Sequence, residues 1–172
     1  MNKIIDNFVE DIKSKFEVLG VDHPADKQVS FDFKSRDIHG VLAHMKASGW
    51  AQLSILTCVD WIDSGEFQLV YILFNWENAI RLQIRTRIDR NNPKFRTITG
   101  IYPGAQYYER DVHEFFGVEF EGNPDSYKQL FLENWDDIPP LRKDFDSVAY
   151  SDKKYPARKY KADFSTEAGE SK

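Results

Sequence analysis

Residues 109–145 read ERDVHEFFGVEFEGNPDSYKQLFLENWDDIPPLRKDF, and they are the most informative part of the chain. The segment begins with charged and aromatic residues in the alternation of an amphipathic helix, and Gly117 is well placed to end that helix in the left-handed conformation. More than twenty residues follow that contain three prolines and several aromatic residues. Loops of this length are uncommon in compact domains, and this one is too aromatic to be disordered. We therefore expect it to lie on a surface, and a partner protein is the expected source of that surface.

The composition indicates one compact domain with an appended segment. The chain has 172 residues, of which 41% are hydrophobic and 15% aromatic, so it can form a core. The net charge of −5 gives no reason to expect a nucleic-acid partner. Cys58 is the single cysteine, and one thiol cannot hold an iron–sulfur cluster. No apolar run approaches the roughly 18–20 residues of a membrane span, so we expect a cytoplasmic protein that reaches any membrane through other subunits.

Hydrophobic periodicity predicts the elements that precede this segment. Helical spacing predicts a first amphipathic helix that ends before Gly20, and a second helix that Asp37 caps and Gly49 ends. Alternation of apolar and polar residues predicts four strands, at 29–33, 53–62, 67–76 and 80–88. This order predicts an α+β fold with a mostly antiparallel sheet and helices packed on one face, followed by a helix and a long extended C-terminal docking tail.

The same patterns divide the chain into three parts. We predict an α+β core domain at residues 1–117, an extended docking segment at 118–146 and a polar, mobile C-terminal tail at 147–172. The third helix, predicted over residues 105–116, therefore stands where the core meets the docking segment.

Candidate catalytic and metal-ligating residues are sparse. Glu109 and His113 are four residues apart and share a helix face, which could ligate a metal, but no third ligand follows at a recognisable spacing. Arg110 and Glu114 have the same spacing, and we expect an ion pair between them. Cys58 stands mid-strand among apolar residues, which predicts a buried and inert thiol. We therefore predict no catalytic, cofactor-binding or metal-binding residue in this chain.

A row of arginines follows one predicted strand. Arg81, Arg85 and Arg87 alternate with apolar residues, so their side chains point to the same side of the sheet. The row fits an ordinary solvated sheet face, and it also fits docking on an acidic surface, because arginine is favoured at interfaces.

The end of the opening segment also suits an interface. The prolines at 139 and 140 stiffen the backbone and reduce the entropy that is lost on binding. Arg142 can then form a bidentate pair with a carboxylate, while Leu141 and Phe145 occupy pockets on the partner.

Three motifs resemble the family of the 30 kDa subunit of respiratory complex I, which in bacteria is the C subunit of that enzyme. The family pattern begins with Glu-Arg-Glu, then any two residues, an acid, two apolar residues and Gly-Val, and here this part reads ERDVHEFFGV at 109–118. The middle part, Gly-His-Pro, reads GNP at 122–124, and the end, Pro-Leu-Arg-Lys-Asp-Phe, stands at 140–145. With a looser match in the predicted meander, the resemblance extends over residues 40–146.

Departures from the family pattern leave the parent complex open. Asp111 replaces the usual second glutamate, Asn123 replaces the usual histidine, and Tyr127 stands where a basic residue is common. Variants with Arg-Asp, Gly-Asn-Pro and Leu-Phe-Leu, which stand here at 110–111, 122–124 and 130–132, resemble subunits of membrane-bound, energy-converting NiFe hydrogenases and of formate hydrogenlyase-type complexes, which share this subunit with complex I. The electron donor and acceptor stay open between NADH and quinone, ferredoxin and protons, and formate.

The resemblance implies a cofactor-free subunit in the peripheral arm of an ion-translocating NADH:quinone oxidoreductase. It implies docking on the large 49 kDa or hydrogenase-large-like subunit, close to iron–sulfur subunits, with the iron–sulfur clusters and the flavin or NiFe centre in those partners. The chain would be peripheral, on the cytoplasmic side of the cell membrane. The residues predicted to form the interface are Glu109, Arg110, Asp111, Glu114, Phe116, Asn123, Pro124, Trp135, Pro140, Leu141, Arg142, Lys143, Asp144 and Phe145, with Arg81, Arg85 and Arg87 on the sheet.

Two other functions stay open on the residues alone. A stand-alone enzyme could use Glu109, Asp111 and His113 as acid–base groups, which predicts a tight monomer with a pocket around the third helix. A generic adaptor would bind an unrelated acidic protein, which predicts a complex without a redox centre. The family resemblance instead predicts co-migration with iron–sulfur subunits.

Overall fold

Helices and strands follow one another largely as the periodicity predicts. The computed structural model describes residues 3–155. The α-helices are α1 (Lys3–Lys15), α2 (Ile38–Ala47), α3 (Ala105–Phe116) and α4 (Ser147–Lys154). The strands are β1 (Gly20–Ala25), β2 (Gln28–Phe33), β3 (Gln52–Trp61), β4 (Glu66–Asn75), β5 (Ile80–Asp89), β6 (Lys94–Arg96) and β7 (Glu119–Glu121).

Five strands form the main sheet, in the order β1-β2-β5-β4-β3. β2 and β5 are parallel, and all other neighbouring strands of this sheet are antiparallel. Strands β3, β4 and β5 lie side by side in chain order because short turns join antiparallel neighbours. The connection through α2 carries the chain from β2 to the far edge, so β1 and β3 are the two edge strands.

The hydrophobic core lies between one face of the main sheet and the helices. Phe31, Ile84, Tyr71 and Leu56 form one row across four strands, and all are fully buried. α1 covers this face, with the ring of Phe8 centred 6.1 Å from that of Phe31. α2 and α3 bury further apolar side chains in the same cluster. Each fully buried side chain of this size stabilises the fold by about 1.5–3 kcal/mol. This arrangement confirms the predicted α+β fold.

A small second sheet pairs the strand that precedes α3 with the strand that follows it. β6 and β7 pair in parallel, with Phe95 opposite Phe120. Val118 and Phe120 are buried in the main core, so the core extends past the predicted boundary at Gly117. Residues 122–146, called the tail below, contain turns and bends and no regular helix or strand.

Some elements differ from the prediction. Asp37 ends a short 3₁₀ turn and its side chain makes no capping hydrogen bond, so its predicted role as a cap is wrong. The periodicity did not predict β1, β6, β7 or α4. α4 begins after Asp146, whose carboxylate accepts hydrogen bonds from the N–H groups of Val148 and Ala149. Part of the predicted mobile C-terminal segment 147–172, namely residues 156–172, lies outside the described residues.

Between residues 3 and 155, no helix has both the length and the apolar character that crossing a membrane requires.

Candidate interaction site on helix α3 and the tail

Glu109 is buried at the centre of the contact between α3 and its neighbours. Its carboxylate accepts hydrogen bonds from the Thr97 hydroxyl at 2.6 Å, the Ile98 N–H at 2.8 Å and the Asn123 side-chain amide at 2.9 Å. Burial raises the pKa of Glu109 above its ordinary value, and the three hydrogen bonds offset this only in part. Because Glu109 and Asn123 have almost no exposed surface, their predicted place at an interface is wrong. They hold the start of the tail against the core.

Arg110 and Glu114 hold the backbone of the tail and do not form the predicted ion pair with each other. The Arg110 guanidinium donates to the carbonyl oxygens of Lys128 and Gln129, at 3.0 and 2.7 Å. The Glu114 carboxylate accepts from the N–H groups of residues 130–132 at 2.7–3.2 Å. An irregular segment has no helix or sheet to satisfy its backbone groups, so side chains of α3 take that role.

The last motif returns to the C-terminal end of α3. The Leu141 N–H donates to the Phe115 carbonyl at 3.1 Å, and Arg142 Nε donates to the Phe116 carbonyl at 2.7 Å. The Arg142 guanidinium also lies 5.2 Å from the centre of the Phe67 ring. These contacts satisfy carbonyl groups that a helix end leaves free, and the cation stands at the negative end of the helix dipole.

Gly117 makes this close approach possible. It has a φ of 78°, and a Cβ atom at this position would lie 2.8 Å from Arg142 Nη2. The backbone conformation therefore favours glycine, and any larger residue would have to displace the Arg142 guanidinium.

A buried carboxylate on β3 holds the tail from the other side. Asp60 accepts from Arg90 at 2.8 and 3.1 Å and from the Lys143 N–H at 2.9 Å. Burial alone would raise the pKa of Asp60, but the hydrogen bonds from Arg90 and Lys143 outweigh it and hold the pKa below its ordinary value. Arg90 also pairs with Asp144 at 2.7 Å. Residues 141–144 are thus fastened to the core of their own chain, which supplies part of the surface that we expected from a partner.

The tail nevertheless presents apolar side chains to solvent. Its side chains are exposed by 67% at Tyr127, 66% at Phe131 and 54% at Leu141. Pro124 and Lys143 are also exposed, and Pro140 is half-buried. Large apolar side chains that an ordered segment exposes make it a candidate interaction surface.

Three of the predicted aromatic anchors lie inside the fold. Phe116 is buried, and its ring packs edge-on against Phe67 with the ring centres 6.1 Å apart. Trp135 and Phe145 are half-buried and pack against each other and against Tyr150 of α4, with ring centres 4.5–5.6 Å apart. These aromatic residues give the tail its shape, whereas Phe131 and Leu141 remain available for contact.

Most of the arginine row on β5 is engaged within the sheet. Arg85 pairs with Asp22 and Asp32, and Arg87 pairs with Glu66 and lies over the Trp61 ring. Arg81 is exposed. The solvated-face interpretation therefore accounts for Arg85 and Arg87, and docking on an acidic surface stays a prediction for Arg81.

The side chains of Glu109 and His113 are not arranged to bind one metal ion. His113 Nδ1 donates to the Val118 carbonyl at 2.9 Å, while Glu109 is engaged by its three donors. No group of three or more His, Cys, Asp or Glu side chains is arranged to hold a metal ion in the part of the chain that the structure describes. Cys58 is buried as predicted, and burial raises the pKa of its thiol far above the ordinary value.

No sequence pattern identified Arg90, Thr97 or the structural role of Asp60. A signal for Glu109 was present: Ala105, Glu109, Val112 and Phe116 follow the i, i+4, i+7, i+11 spacing of one helix face. An acid on an otherwise apolar face is expected to be buried with hydrogen-bond partners.

We expect Arg142→Lys to loosen the tail in the isolated chain. Lysine keeps the charge but loses the planar group that donates to Phe116 and lies over Phe67. Limited proteolysis of the tail should become about tenfold faster, since cleavage follows the population of locally opened states. Arg81→Lys makes the same chemical change at an exposed position and is the control. Equal cleavage rates for Arg142→Lys and the wild type would contradict this account.

Comparison with known proteins places these features in a family context. The profile of the family described as "Respiratory-chain NADH dehydrogenase, 30 Kd subunit" matches residues 31–151. The chain is 33% identical over 123 residues to the mitochondrial NADH-ubiquinone oxidoreductase 30.4 kDa subunit of Neurospora crassa, a match of 71% of this chain and 43% of that protein. It is 28% identical over 146 residues to the NADH-quinone oxidoreductase C subunit of Moorella thermoacetica, covering 82% of this chain and 95% of that protein. The chain thus matches less than half the length of the first relative.

Two solved structures share the fold. A chain of the membrane-bound sulfane sulfur reductase, an archaeal respiratory membrane complex, superimposes with a TM-score of 0.84 at 32% identity, over 96% of this chain and 99% of that chain. The trypsin-resistant fragment of Nqo5 superimposes with a TM-score of 0.61 at 23% identity, over 70% of this chain and 98% of that chain, and this match supports the fold alone.

Proposed function

Because the chain belongs to the family of the 30 kDa subunit of respiratory-chain NADH dehydrogenase, we propose that it is a cofactor-free structural subunit of a complex I-like, membrane-associated oxidoreductase. In this proposal it docks on the large 49 kDa-like subunit, on the cytoplasmic side of the membrane and close to the iron–sulfur subunits. The iron–sulfur clusters, and any flavin or NiFe centre, belong to those partners. Redox chemistry and ion translocation are properties of the assembly.

One observation carries the docking proposal: the tail is ordered by its own core and yet exposes apolar side chains. Phe131 has its backbone N–H bound by Glu114 while its side chain is 66% exposed. Leu141 has its N–H bound by the Phe115 carbonyl while its side chain is 54% exposed. Fixing the backbone before binding lowers the entropy cost of association, and exposed apolar side chains then supply the binding free energy.

The structural match supports a second candidate for the parent complex. The archaeal sulfane sulfur reductase chain corresponds to 96% of this chain at 32% identity, and the Moorella C subunit corresponds to 82% of it at 28% identity. The alternative proposal is therefore the equivalent subunit of a membrane-bound reductase or hydrogenase-type complex. The subunit would be structural in both cases, and the electron donor and acceptor would differ.

Purification of the tagged chain from its own host tests the proposal. We expect it to co-purify with a large subunit and with proteins that carry iron–sulfur clusters, and to show no visible absorption when it is isolated alone. Stoichiometric iron in the pure chain, or a turnover activity of the pure monomer, would contradict a structural role. A stable complex that contains no redox centre would instead support a generic adaptor.

A further inference from the structure

One stripe along α3 consists of two aromatic residues and one acidic residue. Tyr107, Asp111 and Phe115 are spaced four residues apart and so lie on one side of α3. The ring of Phe115 is centred 6.1 Å from that of Phe131, and its carbonyl accepts from the Leu141 N–H. These contacts join the stripe to the exposed side chains of the tail. We call Tyr107, Asp111, Phe115, Phe131 and Leu141 the α3 patch.

Asp111 is the only charged residue of the α3 patch, and its side chain differs from those of the other charged residues on the helix in its contacts. Glu109, Arg110 and Glu114 each bind groups of the core or the tail. Asp111 is half-buried, and its carboxylate has no hydrogen bond or ion pair with any residue between 3 and 155. Burial, and then the nearby charge of Glu114, raise the pKa of this carboxyl. Asp111 is thus a partly desolvated carboxylate beside a like charge.

We propose that the α3 patch is a docking surface for a neighbouring subunit that presents one basic side chain within an apolar surround, and that Asp111 pairs with that side chain. The inference rests on the proposed function, because it identifies which surface of the docked chain meets the partner. Arginine fits better than lysine, since its guanidinium is more weakly hydrated and can bind a carboxylate in bidentate fashion.

Charge complementarity determines the occupant. A purely apolar partner would remove the remaining water from Asp111 and leave a buried charge uncompensated, which is strongly unfavourable. An acidic partner would add a further like charge beside Asp111 and Glu114. A cation offsets both the desolvation and the repulsion, while Phe131 and Leu141 bury apolar surface around the pair. Such a pair resembles the central, water-excluded contacts that dominate binding at interfaces.

Competitive incorporation into the complex tests this inference. The wild-type chain and Asp111→Asn, carrying different tags, are expressed together in the host, and their ratio is measured in the purified complex. We expect Asp111→Asn to be under-represented about tenfold or more, because it leaves the partner's cation buried and unpaired. Asp26→Asn is the matched control, because this exposed carboxylate lies in the β1–β2 turn, at the sheet edge opposite β3 and α3, and it should incorporate equally.

Stability of the isolated chain provides the second readout. Removing a partly desolvated and unpaired carboxylate should leave the unfolding temperature of Asp111→Asn equal to or above that of the wild type. Equal incorporation of Asp111→Asn and the wild type would overturn the inference. So would a fall in the unfolding temperature that disappears in a chain ending at Tyr155, because this would make a cation of residues 156–172 the partner of Asp111.

The outcomes separate this inference from the proposed function. If the wild-type chain assembles with redox subunits but Asp111→Asn competes equally, only the role of the α3 patch fails. If the wild-type chain is recovered without any redox subunit, the proposed function fails, and the inference that rests on it fails too.

Discussion

A chain that ends after Lys128 is expected to keep its α+β fold and to lose assembly completely. The truncation removes the exposed side chains of Phe131 and Leu141 together with the backbone that positions them. It retains Val118, Phe120 and Asn123, which are buried. A cut at the predicted boundary, Gly117, would remove these three residues and so damage the core as well as the docking surface.

The fold should tolerate this truncation because the polar groups that lose the tail can bind water or keep their other hydrogen bonds. Glu114 and the last carbonyls of α3 become hydrated when the tail is absent, and exposed polar groups cost little when water replaces a hydrogen bond. Asp60 loses the Lys143 N–H but keeps both hydrogen bonds from Arg90. Circular dichroism should therefore report the wild-type secondary structure of the core, with a lower unfolding temperature.

Affinity purification from the host measures the effect on assembly. The truncated chain should recover none of the redox subunits. A chain that ends at Tyr155 keeps the tail and α4, and it should assemble as the control. Recovery of the large subunit with the truncated chain at normal yield would show that the tail does not dock the protein.

Periodic elements were predictable because their own residues encode them. The apolar alternation of β4 and β5 appears directly in the sequence, and so does the glycine that ends α3. β1 is short, largely exposed and contains Pro24, so no apolar alternation marks it. β6 and β7 have three residues each and exist because they pair across an intervening helix. Pairing of this kind depends on tertiary contacts that a local pattern does not contain.

The polar residues of the site were recognised, but their partners were not. Lys143 and Asp60 are 83 residues apart in sequence and in contact in the fold. A charged side chain that satisfies the backbone of a distant segment has the same local pattern as one that binds another protein. The sequence therefore identified Arg110, Glu114 and Arg142 as important and predicted an ion pair between the first two and contacts with a partner, whereas the fold uses all three to hold its own tail.

Glu109→Ala is expected to cause the largest loss of stability among single substitutions on α3. It would leave the buried Ile98 N–H without its acceptor, remove the shared acceptor of the Thr97 hydroxyl and the Asn123 amide, and leave a cavity. A buried donor that loses its acceptor costs about 1–3 kcal/mol and the cavity adds to this cost, so the total loss should be about 3–5 kcal/mol. For a chain of this size that loss lowers the unfolding temperature by roughly 6–20 °C. Val112→Ala on the same helix face is a control that removes apolar packing and leaves the three donors satisfied.

Glu109→Gln separates the hydrogen bonds from the charge. The glutamine oxygen can still accept from Ile98, but its amide would face the Asn123 amide, whose own oxygen is engaged by the Asp125 N–H. This donor–donor contact should make the variant less stable than the wild type by about 1–3 kcal/mol at neutral pH.

Because the folded-state pKa of Glu109 lies above its unfolded value, protonation of Glu109 favours the fold. That contribution is complete below the unfolded pKa and is lost as the pH rises through the folded pKa. The wild type should therefore gain stability relative to Glu109→Gln as the pH falls from neutral toward the ordinary range of a glutamate. Urea unfolding of both proteins along a pH series measures the difference, and a difference that stays constant with pH would show that Glu109 is not the buried, titrating centre of this contact.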